Sequence, residues 1–203
     1  MFFHVQLIDN PKTPEKRAQS RPDHWRYFDE HRVHFIARGA TKSDDGEIFL
    51  SSVLFVEFEN WTEVRSFVDD EPHNRNGVYH DVRVNRWGHG LNPQRQRNFA
   101  REGDQVTWYI RGFGKPGMHL KRMDLLQDHL DYFRPFDTNR FIARGGVRSD
   151  DGDEWRGSAS LIALPSRNAV QDFLDREPFY KNGLYESVLV ERYIFGGRPG
   201  QIV

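Results

Sequence analysis

The chain contains no cysteine. Disulfides, thiolate nucleophiles and cysteine-ligated metal or iron–sulfur sites are therefore excluded. Charge of one sign is also missing: 29 lysines and arginines stand against 30 acids, a formal net charge of −1. No global field draws such a protein to nucleic acid or to an anionic membrane. No apolar run approaches the roughly 20 residues that a membrane-spanning helix needs. The opening MFFHVQLIDN lacks the basic stretch and long apolar run of a secretory leader. The expectation is a soluble, cytoplasmic protein that meets neither nucleic acid nor membrane.

What is present is aromatic and arginine-rich. The 203 residues include 16 Phe, 7 Tyr and 5 Trp, enough to build a core despite a mean hydropathy of −0.78. Arginine supplies 23 of the 29 cations, which favours fixed, bidentate pairing over loosely held ammonium groups.

The chain also repeats itself. FIARGATKSDDG at 35–46 returns as FIARGGVRSDDG at 141–152, with nine of twelve positions identical and an offset of 106. At the same offset Glu71-Pro72 meets Glu177-Pro178, and NGVY at 76–79 meets NGLY at 182–185. Upstream, at an offset of 105, Lys16-Arg17 meets Lys121-Arg122, His24 meets His129 and Tyr27-Phe28 meets Tyr132-Phe133. One residue has been inserted between 133 and 141. A duplicated domain of about 100 residues explains this better than a short solenoid unit. The division is 1–87 for the first copy, 88–104 for a polar linker, 105–193 for the second copy and 194–203 for a tail. Arg95, Arg97 and Arg101 of the linker have no aromatic platform beside them and read as solvated.

Each copy shows the same order of elements. FHVQLI (3–8) and VTWYIR (106–111) read as first strands, followed by a helix entered at Pro22 in the first copy. VHFIAR (33–38) and RFIAR (140–144) read as second strands, and 50–58 and 158–165 as third strands after an SDDG turn. Asn60 and Ser166 are candidate caps of second helices. Alternating strands at 78–84 and 184–190 follow an Asn-Gly pair. The order βαββαβ defines an α+β, ferredoxin-like split unit, with helices on one face of an antiparallel sheet. The other face must be covered, and two units in one chain predict an intramolecular pseudo-dimer whose sheets pack face to face.

The candidate chemistry is sparse. GFGKPG at 112–117 matches G-x-G-x-x-G but lacks a parallel βαβ context, and reads as a flexible β–α loop. The nine histidines include no tight ligand spacing, so no metal site is expected. His24 and His129 fall beside the apolar stripe of the first helix in each copy. Two readings stand for them: a core histidine bonded to backbone, or an acid/base group oriented by a carboxylate. Glu71 and Glu177 are the carboxylate candidates, with a helix-terminal surface role as the alternative. Arg38 and Arg144, at the ends of the second strands, fit either an anion clamp or an ion pair supporting a turn.

Together, R-P-D-H at 21–24, the strand ending in Arg38-Gly39, SSVLFVEFEN, Glu71-Pro72 and NGVYHDVRV resemble the YciI-like (YCII-related) proteins. The resemblance covers nearly all of 2–87 and, more loosely, 105–193. It implies a dimeric α/β-barrel formed by two ferredoxin-like units. It also implies a cofactor-free enzyme with a histidine–aspartate pair, in a family linked to breakdown of halogenated or hydroxylated aromatics. The pair carries over to His24 with Glu71 and to His129 with Glu177, where glutamate replaces the family's aspartate and its extra methylene is expected to shift the carboxylate. Arg21, of R-P-D-H, joins Arg38 and Arg144 as substrate-binding candidates. The second copy has Leu126 in place of Arg21, so the first site is expected to do the chemistry.

The functional expectation is a lyase or hydrolase acting on a small aromatic or anionic molecule, with no nicotinamide, flavin or haem. The alternative is a non-catalytic ligand-binding or assembly protein with structural histidines. A homodimer of the fused chain is the remaining partner expectation.

Overall fold

A computed structural model describes residues 1–91 and 105–198. The first half runs β1 (Phe2–Asp9), α1 (Pro14–Glu30), β2 (Phe35–Lys42), β3 (Phe49–Glu57), α2 (Trp61–Asp70), α3 (Pro72–Arg75) and β4 (Tyr79–His89). The second runs β5 (Val106–Gly114), α4 (His119–Asp124), α5 (Leu126–Phe133), β6 (Phe141–Arg148), β7 (Trp155–Leu164), α6 (Arg167–Arg176), α7 (Pro178–Lys181) and β8 (Tyr185–Phe195).

Local chemistry explains most of these boundaries. The side chains of Asn60 and Ser166 accept from the N–H groups of Glu63 and Ala169, capping α2 and α6. Pro72 and Pro178 open α3 and α7, where a missing N–H leaves nothing unsatisfied. Gly77 and Gly183 take positive φ (68° and 69°) and turn the chain into β4 and β8.

The first helix departs from the sequence reading. It begins at Pro14, eight residues before Pro22, which lies inside it. Proline normally breaks a helix by removing a hydrogen bond to the carbonyl four residues back. Here Ala18 and Pro22 both lie on the exposed side, where solvent can take that carbonyl. In the second half the same stretch splits at Leu125 into α4 and α5.

The eight strands close into one antiparallel barrel, in the order β1-β3-β2-β8-β5-β7-β6-β4. Each half contributes four neighbouring strands, and the halves meet at two seams, β2–β8 and β4–β6. The sheets face each other across the interior as expected, but they are also joined edge to edge. The last strands therefore run longer than their alternating patterns: the seams use Arg86–His89 and Arg192–Phe195, beyond the predicted ends at 84 and 190. Residues 88 and 89 of the predicted linker and 194 and 195 of the predicted tail thus belong to strands. Arg95, Arg97 and Arg101 lie outside the described residues.

The seams account for the repeated twelve-residue segment. A methyl group on Gly39 would overlap the Ile194 carbonyl oxygen, and one on Gly145 would overlap the Gly88 carbonyl oxygen. Only glycine lets the partner strand approach. The SDDG turns dock across the same seams. Arg192 donates to the Asp44 carbonyl, and Arg167 pairs with the Asp44 carboxylate at 2.9 Å. At matching positions, Arg86 donates to the Asp151 carbonyl and Trp61 to the Asp150 carbonyl.

The barrel interior is packed with Ile36, Val53, Phe55, Trp87, Ile142 and Leu161, all buried. At its centre His4 and Tyr109, equivalent positions of the two halves, share a hydrogen bond of 2.9 Å. Burial, and then the Arg111 charge, hold the His4 imidazole well below its ordinary pKa. Separate cores lie between the helices and the outer sheet face of each half. Gly112 and Gly114, expected in a loop, belong to β5. They are glycine because the Tyr185 and Trp155 rings lie where their side chains would be. No helix among the described residues is long and apolar enough to cross a membrane.

Candidate active site

The structure places both histidine–glutamate pairs outside the barrel, between the helices and the sheet of each half. Glu71 sits at the break between α2 and α3, with 1% of its surface exposed, and Glu177 at the same break in the second half is 2% exposed. Neither is the surface carboxylate that its flanking charges and following proline allowed. Glu71 accepts from the backbone N–H groups of His73 (3.0 Å) and Asn74 (2.9 Å). Glu177 does the same with Phe179 (2.9 Å) and Tyr180 (2.8 Å). Each carboxylate therefore caps the short helix after it, and its burial is supported by fixed donors.

A further hydrogen bond reaches each carboxylate from the first helix. His24 Nδ1 lies 2.6 Å from Glu71 Oε1, and His129 Nδ1 lies 2.6 Å from Glu177 Oε1. Each glutamate carboxylate thus bonds both the cap N–H groups and the imidazole. A carboxylate can only accept, so Nδ1 carries the proton and the neutral ring keeps its lone pair on Nε2. Proton uptake at Nε2 would place an imidazolium against the buried carboxylate, which orients and stabilises it.

The surroundings of the two pairs differ. His24 stacks on His73 with ring centroids 4.0 Å apart and planes within 6°. His129 stacks on Phe179 at the same distance, within 1°. His73 Nδ1 meets Ser20 Oγ at 2.6 Å, while Ser20 donates to the Lys16 carbonyl. The hydroxyl proton is thus engaged, so the His73 ring donates. Burial, and then the neighbouring His24 charge, push His73 down to about 2. His24, Glu71 and His73 bring three metal-ligating groups within 4.8 Å, but their geometry does not suit a shared ion. A metal must lie close to the plane of each imidazole that ligates it, and two stacked, nearly parallel rings have no common plane. His73 Nδ1 and both Glu71 oxygens are also engaged.

A cavity of about 210 Å³ opens on the second pair, with His129, Glu177 and Phe179 on one wall and Gly145, Gly146 and Ser158 of the sheet on another. Arg144 lines it too, held by Asp137 through two bonds of 2.6 and 2.7 Å. In the first half Arg38 pairs with Asp29 at 3.1 Å. Both arginines are thus ion-paired, Arg38 to helix α1 and Arg144 to the segment before β6 and not to the SDDG turn, and Arg144 lines the cavity. The acids occupy different repeat positions, because the inserted residue lets Asp137 replace the equivalent of Asp29. Arg21 is half-buried on α1, near enough for its charge to depress His73. Its counterpart Leu126 lines the cavity.

Sequence reasoning overlooked several residues of this region. Arg17 is buried and donates to Asp9 at 2.7 Å and to Ser52 at 3.0 Å. Tyr79 is buried and Tyr185 partly buried, and their hydroxyls meet Ser52 (2.9 Å) and Ser158 (3.0 Å). The signal was the repeat itself, since Lys-Arg and Asn-Gly-x-Tyr recur in both copies.

The family model of the YCII-related domain matches residues 1–88 and again 110–194. A comparison with the curated proteins finds no match. Among solved structures, a 5-chloro-2-hydroxyhydroquinone dehydrochlorinase of Burkholderia phenoliruptrix, in complex with 2,5-dihydroxybenzoquinone, is 29% identical. That likeness covers 44% of this chain and 96% of that one, with a TM-score of 0.41. A chlorite dismutase of Candidatus Nitrospira defluvii is similar over 95% of this chain and 90% of its own, at 9% identity and a TM-score of 0.61. An anthrone oxidase-like protein matches over 100% and 94%, at 12% identity and a TM-score of 0.53. The last two likenesses concern the whole barrel and, at such identities, the fold alone.

Proposed function

We propose that this chain, which belongs to the YCII-related domain family, is a cofactor-independent enzyme working by proton abstraction at a histidine–glutamate pair. The reaction class is a lyase or hydrolase step on a small aromatic or anionic molecule. The observation that carries this reading is the buried pair His129–Glu177 beside a cavity, with Nδ1 anchored at 2.6 Å and Nε2 left to take a proton. An oriented, carboxylate-backed imidazole is the arrangement general-base chemistry uses.

Contrary to the expectation from R-P-D-H, we assign the chemistry to the second half. His129 lines a cavity that includes Arg144, whereas in the first half Arg17 is paired with Asp9 and His73 with Ser20. The first pair then has a structural part, tying α1 to the break between α2 and α3.

The test is turnover without added cofactor on a panel of chlorinated and hydroxylated benzenes and benzoates, followed by ultraviolet absorbance and chloride release. The reading predicts a substrate whose turnover Glu177→Gln and His129→Gln reduce together. Turnover that survives both substitutions in folded protein would overturn it.

A further inference from the structure

Arg122 occupies the position in the second half that Arg17 occupies in the first, but without its partners. Arg17 is neutralised by Asp9 and also bonds Ser52. At the place of Asp9 the second half has Gly114, and Ser158, the counterpart of Ser52, bonds Tyr185 instead. Arg122 keeps a contact to Met123 Sδ at 3.4 Å and faces the Trp155 and Phe179 rings at 5.9 Å, and its buried Nε has no hydrogen-bond partner. Arg148 donates to the Gly152 carbonyl. Neither arginine meets a carboxylate among the described residues. Burial, and then the Arg148 charge, lower the Arg122 pKa.

A second orphaned donor points to the same spot. Trp155 is 5% exposed, and its indole N–H has no acceptor. A methyl group placed on Gly146 would lie 3.9 Å from Trp155 Nε1 and 4.0 Å from Arg122 Nη2. Both donors therefore converge above the cavity floor at Gly146. Leaving a buried donor unpaired is costly, and more so for a charged one, so an acceptor bearing negative charge is the complement. Apolar side chains complete the lining: Ile110 and Val188 from the sheet, and Leu130, Phe133 and Phe173 from the helices. An apolar cavity of about 150 Å³ holds one benzene ring, so the 210 Å³ here has room for a ring and a small substituent.

We propose that the cavity of the second half binds a small arene carrying one anionic oxygen group, carboxylate or phenolate, which Arg122 and the Trp155 indole N–H receive. This rests on the preceding reading only in using the same cavity. It names the substrate class: the charged group is held at Gly146, and the ring lies on the apolar side chains beside His129. With Gly114 at the position equivalent to Asp9, no acid there neutralises Arg122 from within the chain.

The test is calorimetric titration with benzoate, 4-nitrophenolate and the neutral isostere benzamide. Wild-type protein is expected to bind at least one of the two anions, and to bind it at least tenfold more tightly than benzamide. Arg122→Gln should remove that preference and leave benzamide unchanged, and Trp155→Phe should weaken the anion severalfold. In the 1H–15N spectrum of the wild type, the anion and not benzamide should shift the Trp155 indole resonance, a readout independent of how the variants fold. Equal affinity for anion and amide, unaltered anion binding by folded Arg122→Gln, or an unmoved Trp155 resonance would overturn the proposal. His129→Gln should retain anion binding while losing turnover. Its failure to lose turnover would count against the enzymatic reading and leave the anion site standing.

Discussion

The two halves hold the same imidazole against the same carboxylate at the same 2.6 Å and surround it with opposite logic. In the first half arginine is paired with aspartate and histidine with serine beside the pair, Arg17 with Asp9 and His73 with Ser20, while Arg38 keeps Nε and Nη1 without a hydrogen-bond partner among the described residues. In the second half aspartate has become glycine, serine leucine and histidine phenylalanine, leaving an arginine and an indole N–H with no internal acceptor. After a duplication, one copy can serve the fold while the other is free to lose internal pairs. Under the proposed assignment, what distinguishes the second site is an orphaned arginine and indole at the cavity beside the motif. The motif residues themselves are equally well made in both.

Several measurements would sharpen or break that contrast. The largest effect is expected where the halves agree. Glu71→Gln and Glu177→Gln each disrupt a buried carboxylate with three donors, and each should cost about 3–5 kcal/mol in denaturant unfolding. A much smaller cost in the second half would mean that its carboxylate is not structural, and the halves would differ more deeply than argued here. Next come the seams. Gly39→Ala and Gly145→Ala should each destabilise by about 3 kcal/mol, because a backbone carbonyl occupies the space of the added methyl. A tolerated methyl at either position would show that the barrel does not depend on that seam.

The third effect belongs to the first half alone. His73 has a folded pKa near 2 against an ordinary 6.5, through burial first and the adjacent His24 second. Because the folded value is the lower one, the unfolded chain takes up the proton first. The contribution is complete above pH 6.5 and is lost as pH falls toward 2, with a limiting slope of about 1.4 kcal/mol per pH unit. His73→Phe imports the Phe179 arrangement and should flatten the acid limb of the stability curve by that slope. His4 and His89, also lowered by burial, contribute to both proteins and cancel in the difference. Parallel acid limbs would remove His73 from the account. The smallest effect is again symmetric: Asn60→Ala and Ser166→Ala each remove one helix cap, costing about 1 kcal/mol.

Much of this architecture was legible because it was written twice. The repeat, the βαββαβ order and the caps at Asn60 and Ser166 follow from residues that recur at fixed offsets, and the pairing of histidine with glutamate from the resemblance to the family. What escaped the sequence depends on a partner strand or a buried neighbour. The reach of β4 and β8 past residues 84 and 190 is set by the seams, and Gly39 announces its need for close approach only once Ile194 lies against it. Pro14 was passed over as the helix start because α1 is largely polar and carries a second proline. Glu71 is flanked by Asp69, Asp70 and Pro72 and looks like surface. Only the two N–H groups beyond it make burial tolerable. Gly114 was visible within GFGKPG, but its meaning lay in the aspartate it replaces.

The central claim, that His129 does the chemistry and His24 serves the fold, is tested most directly by kcat/KM of His24→Gln and His129→Gln on one turned-over substrate. Loss of a general base predicts a fall of about 10²- to 10⁴-fold for His129→Gln, with His24→Gln retaining activity near that of the wild type. The reverse pattern, or equal losses in two folded proteins, would contradict the assignment of the working site to the second half.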